Sequence, residues 1–133
     1  MLLTTKNKKM TTTNYSVSSA TNAKETVLSF VNSLNEEDFK TARSYVSDDM
    51  TFAGVLGSRN GAEAYFKDME KMKLKYEIKK VFAECDDVCL LSDVSMQGVT
   101  MFTCSWYHVE GGKINSLKVV FDPRPVLELS DKK

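Results

Sequence analysis

Val27, Phe30, Val31 and Leu34 recur three and four positions apart, which lays them on one face of a helix. Asn22, followed three residues later by Glu25, reads as an N-cap with its capping-box partner. The spacing therefore predicts a first helix over about 22–35. Asn35 with Asp38 repeats the start signal, and Phe39, Ala42 and Val46 form a second apolar stripe, so a second helix is expected to reach about Val46. The stretch "MTFAGVLG" has no helical period and contains two glycines, so it reads as a short strand and turn. Asn60-Gly61 opens a third helix on which Ala62, Tyr65, Met69 and Met72 share a face.

From Lys75 the period changes from helical to two. Tyr76, Ile78 and Val81/Phe82 mark one strand, with "CDD" as its turn. Val88–Met96 is the next, Val99–Val109 a long one, and Ile114–Phe121 follows the hairpin turn "EGGK". Pro123 and Pro125 stop the last strand, because proline has no N–H to give a ladder. Three helices followed by consecutive antiparallel strands predict an α+β domain with its helices on one face of the sheet.

The long strand has two apolar rows. Val99, Met101, Thr103, Ser105 and Tyr107 alternate with Thr100, Phe102, Cys104, Trp106 and His108. A sheet whose helices lie on one side should show water a polar second face. Phe102, Cys104 and Trp106, with Cys89 and Leu91 on the neighbouring strand, instead imply that the second face is covered. No element is left over to cover it except the C-terminal tail, so a homodimer through this face is expected, with the tail as the alternative cover.

Composition narrows the classes. The 133 residues fit one domain, expected over 22–127 between a flexible leader (1–21) and a short C-terminal tail (128–133). Eighteen basic and eighteen acidic side chains cancel, so no nucleic-acid partner is expected. The densest basic run, "KMKLKYEIKK", reads as a solvated helix end and strand face. No apolar run is long enough to span a membrane, and the first residues are too short an apolar stretch for a secretory signal. Cys85, Cys89 and Cys104 are odd in number and lack CxxC spacing, which suits free thiols in a reducing, cytoplasmic setting. A zinc site from Cys85, Cys89 and His108 would lack the tight paired spacing of such sites. No metal or other cofactor is expected.

The order of elements, with "VLSFVNSLNEEDFKTARSYVSDDMTF" in front and "GGKINSLKVVFDPRP" behind, resembles the nuclear transport factor 2-like superfamily, in its SnoaL-like and ketosteroid isomerase-like branch. The resemblance covers about residues 23–125. It rests on the "N-x-x-D-F" that ends the first helix, the "DD" before the first strand, the "G-x-E-A" opening the third helix, and the closing "G-K-I" hairpin. It implies a cystatin-like cone, in which about three N-terminal helices pack on a strongly curved, mainly antiparallel sheet. It also implies a pocket inside the cone. Strand register places Val94, Met96, Met101, Thr103, Ser105, Leu117, Val119 and Phe121 on the inner face, with Phe30, Tyr65 and Met69 closing it from the helices. Apolar groups with a few hydroxyls suit a small hydrophobic ligand; the same residues would equally fill a solid core.

The isomerases of that superfamily use a carboxylate base and a Tyr/Asp oxyanion hole. Carried over, the tyrosine falls on Phe30, the base on or beside Gly54, and the second donor on Ser105. Phe52, Ala53 and Val55 offer no ionisable group either, so that chemistry is rejected. An enzyme here would be a lyase, isomerase or cyclase with another residue set. His108 and Asp93 fall on the outer row; Asp68 precedes the inward Met69 and could reach the pocket mouth. Asp122 and Arg124 could pair, cap a backbone, or bind an acidic ligand at the rim. Asp48 and Asp49 read as helix-to-strand punctuation without evident partners. Two functions remain: a pocket protein for a small hydrophobic ligand, and a non-catalytic dimerisation or protein-interaction module.

Overall fold

The computed structural model describes residues 15–131; the expected leader up to residue 14 lies outside them. Four helices and six strands follow in the order α1 (Tyr15–Asn35), α2 (Phe39–Arg43), β1 (Val46–Gly54), β2 (Gly57–Asn60), α3 (Ala62–Met72), β3 (Lys75–Glu84), β4 (Asp87–Met96), β5 (Val99–Glu110), β6 (Lys113–Phe121) and α4 (Arg124–Asp131). The strands form one sheet in the order β2-β1-β6-β5-β4-β3. Every neighbouring pair is antiparallel except β1 with β6, which run parallel. The α+β architecture is the one expected, with one helix and one short strand more than the periodicity showed.

α1 lays Ala23, Val27, Phe30, Val31 and Leu34 against the inner sheet face, where Val88, Leu90, Tyr107, Val109 and Ile114 meet them. Burying a side chain such as Phe30 contributes about 2–3 kcal/mol. α1 starts well before Asn22, so Asn22 is a helix-interior residue and not a cap. No Gly or Pro lies between Tyr15 and Asn22 to stop the helix from extending. α2 is shorter than expected. Asp38 caps it, accepting from the Thr41 N–H at 3.2 Å. It ends at Ser44, whose hydroxyl bonds the Thr41 carbonyl at 2.6 Å. Val46 already belongs to β1, pairs with Ile114 and is fully buried. An apolar residue at that spacing fits a helix stripe and a strand start equally well.

Asp48 and Asp49 lie within β1, not in a turn before it. Between Val46 and Thr51 the register against β6 slips, since the partners are Ile114 and Ser116. The surplus residues bow out, and both aspartates stay exposed on adjacent positions. Asp48 has a partner after all, the Arg43 guanidinium. A second slip in β3, between Ile78 and Lys80, explains why the inward residues run Tyr76, Ile78, Val81 and leave Phe82 exposed.

Gly61 turns the chain from β2 into α3 at φ 95, a conformation that strains any side chain, and its N–H bonds the Met50 carbonyl at 2.7 Å. The prolines end β6 but do not end the structure. Pro125 sits in the first turn of α4, where a missing N–H costs nothing. Helix α4 therefore includes the start of what was expected to be a tail from 128.

Candidate functional site

α1 covers only part of the inner sheet face. Beyond it, α3, the β1–β2 hairpin and the sheet enclose a cavity of about 250 Å³. Alternation along the strands makes its floor. On β5, Met101, Thr103, Ser105 and Tyr107 are all buried, while Phe102 and Trp106 between them face out. Register against β4 and β6 brings Val94, Leu117 and Val119 beside that row. Met96 and Phe121 complete the floor, and Tyr65 and Met69 of α3 form a wall. Ten of the eleven residues expected to face a pocket thus border one cavity.

Phe30 does not. It sits in the core, edge-on to Phe66 at 6.3 Å and to Tyr107 at 6.1 Å. The reason is α1's position, over the part of the sheet that is solidly packed. Phe66 and Tyr65 continue the aromatic contact at 5.3 Å, and Tyr65 meets Phe52 at 5.4 Å. One chain of rings therefore links the cavity wall to the helix core.

Sequence reasoning missed Phe52, Tyr76, Tyr107, Arg59 and the hairpin tip Val55–Leu56, all of which border the cavity. Tyr107 lies in the inward row already recognised, and Tyr76 in the inward alternation of β3, so both were within reach of the pattern. The hairpin was not, because β2 is four exposed residues without an apolar rhythm.

Burial pushes the hydroxyls of Tyr65, Tyr76 and Tyr107 well above the ordinary tyrosine range, so they stay protonated. They can donate hydrogen bonds but not serve as bases. Gly54 borders the cavity where the resemblance would put a base. A Cβ there would come within 2.9 Å of the Phe52 ring, so Phe52 occupies the room a side chain would need. Asp68 does reach the cavity and is its one carboxylate among the described residues. It is engaged by Arg59, the one guanidinium, Nε to Oδ2 at 2.8 Å.

The other candidates lie elsewhere. Asp122 and Arg124 pair with each other, Nη2 to Oδ2 at 2.6 Å, while the Arg124 N–H bonds Asp122 Oδ1 at 3.1 Å and starts α4. His108 is on the outer face, between Asp87 and Glu110. Asp93 faces Lys79 at 3.7 Å. Cys89 and Cys104 sit 3.5 Å apart, sulfur to sulfur, on the outer face; burial first, and the neighbouring thiol second, push Cys89 up to about 11. Among the described residues no group of three or more His, Cys, Asp or Glu is gathered to hold a metal ion. None of their helices is long and apolar enough to cross a membrane. On that outer face Phe102 is 58% exposed, Trp106 48% and Val120 59%, and the Lys118 ammonium of β6 lies over the Trp106 ring, 5.0 Å from its centroid.

The SnoaL-like domain family matches residues 27–117. A solved structure of an NTF2-like protein of unknown function from Cytophaga hutchinsonii is 42% identical, with TM-score 0.78, covering 90% of this chain and 98% of that one. An LEH-like epoxide hydrolase from M. tuberculosis is 21% identical, with TM-score 0.68, covering 86% of this chain and 98% of that one. The second is a likeness of fold alone. No curated protein matches the chain.

Proposed function

This chain belongs to the SnoaL-like domain family, and we propose that it holds one small, mostly apolar molecule in the cavity between α3, the β1–β2 hairpin and the inner sheet face. The observation that carries the reading is the cavity of about 250 Å³, walled by Met, Val, Leu and aromatic side chains, with Thr103, Ser105 and three tyrosines as its uncharged polar groups and the Arg59–Asp68 pair at its edge. A solid core would have closed that space, since voids in packed interiors are few and small. Volume bounds the occupant. A cavity of about 150 Å³ takes one benzene, so by proportion this one takes about ten non-hydrogen atoms. That suits a single substituted ring or a short branched chain lying within it.

The absence of a base at Gly54, and of any free carboxylate or imidazole among the cavity's described residues, favours binding over proton transfer. Native mass spectrometry of freshly purified protein tests the reading, because it reports a co-purified ligand and the subunit count together. A bound mass lost in Ser105→Phe, which fills the cavity from its floor, is the expected result. Equal ligand binding by wild type and Ser105→Phe would refute the site.

A second reading has its own observation. The exposed Phe102, Trp106 and Val120, with Cys89, Leu91 and Cys104 half-buried beside them, form an apolar face on a chain with no net charge. We propose that two copies pair through it. The two readings are compatible, because the cavity and this face lie on opposite sides of the sheet.

A further inference from the structure

We infer that Arg59 is the polar anchor of the bound molecule, and that it selects an uncharged oxygen acceptor: a ketone, ester or amide carbonyl. The inference rests on the pocket reading above. Arg59 comes from β2 and Asp68 from α3, and they meet at the edge of the cavity with both side chains about half-exposed. They are the only charged side chains among the described residues that border it. Their position therefore gives the cavity a charged end near solvent, apart from the uncharged hydroxyls of Thr103, Ser105 and the tyrosines on its inner wall.

The guanidinium has donors to spare. Nε gives its hydrogen to Asp68 Oδ2 at 2.8 Å, and Nη1 gives one to the Ser58 carbonyl at 2.8 Å. Nη2 has no partner among the described residues. The inner hydroxyl of Thr103, by contrast, is already directed to the Ser92 carbonyl at 3.4 Å. A ligand oxygen reaching the mouth thus finds a fixed planar donor, held in orientation by Asp68.

Charge decides which oxygen. Asp68 touches the same guanidinium, so the pair is neutral as a unit. A carboxylate bound to Nη2 would sit beside the Asp68 carboxylate, whose like charge offsets much of its attraction to the guanidinium. A carbonyl oxygen takes the same hydrogen bonds without that repulsion. Arg59 binds the ligand, and Asp68 acts through Arg59 as a positioning and charge-setting residue.

Calorimetric titration with ethylbenzene, acetophenone and benzoate tests this on the full chain. These probes share one ring and differ in carrying no acceptor, a neutral one or an anionic one. Arg59→Met is expected to weaken acetophenone about ten-fold, as loss of one hydrogen bond from a charged donor does, and to leave ethylbenzene unchanged. Asp68→Asn is expected to strengthen benzoate about ten-fold while acetophenone changes by less than about three-fold. Arg59→Met weakening ethylbenzene and acetophenone alike, or neither, overturns the anchor. Benzoate matching acetophenone in the wild type, with no gain in Asp68→Asn, overturns the choice of a neutral acceptor. Failure of every probe to bind the wild type overturns the pocket reading itself.

Discussion

The side-chain amide of Asn35 grips the backbone of Tyr76 at both its polar groups: Oδ1 accepts from the N–H at 2.7 Å, and Nδ2 donates to the carbonyl at 2.9 Å. Helix α1 is thereby fastened to β3 at the residue where β3 reaches the cavity. Lys75 adds to the joint, its Nζ bonding the Asn35 carbonyl and Glu37 Oε2, each at 2.8 Å.

Removing the grip leaves two part-buried backbone groups without partners. Asn35→Ala is expected to destabilise the fold by about 2–3 kcal/mol, at about 1 kcal/mol or more for each stranded group. Asn35→Asp keeps the acceptor for the N–H but sets an oxygen against the Tyr76 carbonyl, so it should recover only part of the loss. Urea unfolding checks both; an Asn35→Ala loss under about 0.5 kcal/mol would show that water replaces the side chain.

Gly54→Ala should separate ligand binding from stability. The added methyl meets the ζ carbon of Phe52 at 2.9 Å, and the ring has free space on its cavity side. It is expected to swing inward at a stability cost of about 1 kcal/mol or less, because the contact is with the end of a side chain. The cavity would shrink, and probe affinity should fall several-fold while the melting temperature drops by no more than about 4 °C. An unchanged affinity would mean that Phe52 yields in another direction.

The outer face is expected to respond to pH. Asp87 Oδ1 accepts from Trp106 Nε1 at 2.8 Å and lies 2.9 Å from His108 Nδ1. The hydrogen bond to Asp87 raises His108 above the ordinary histidine value of 6.5. The folded state thus holds this proton more tightly than the unfolded chain does. The resulting stability is complete below about pH 6.5 and is lost as pH rises through the raised folded value. The single tryptophan reports the event directly, since it shares the Asp87 oxygen. Its fluorescence should titrate above pH 6.5, and Asp87→Asn should move the midpoint back down; a midpoint that moves up, or not at all, contradicts the pairing.

Self-association through the outer row is open to a surface substitution. Phe102→Lys replaces a 58% exposed ring with a charge, so folding should survive it. Sedimentation should then show a dimer for the wild type and a monomer for the variant. A monomeric wild type removes the second reading, and a dimeric variant moves the interface elsewhere.

How much of this was legible beforehand follows from what periodicity encodes. β5 declared both its rows, because Met101 and Thr103 on one side and Phe102 and Trp106 on the other repeat without a break. The inner rows of β4 and β6 followed for the same reason. Where a strand slips register, the pattern misleads: Asp48 and Asp49 look like a turn because β1 bows out there. Arg59 could not have been found, since its place at the cavity comes from a short edge strand folded back over α3, a tertiary fact with no local signature. Phe30 lies away from the cavity because α1 covers only one end of the inner sheet face, and sequence spacing does not say which end is packed and which is hollow.

β2, the edge strand of four exposed residues that supplies Arg59, is paired on one side only, to β1. Such a strand opens locally at a free energy far below that of global unfolding. On the proposed pocket reading, ligand exchange becomes a matter of rates set at the rim: residence time should follow how often β2 parts from α3, and a crosslink between them would slow both entry and exit while leaving the equilibrium affinity nearly where it was.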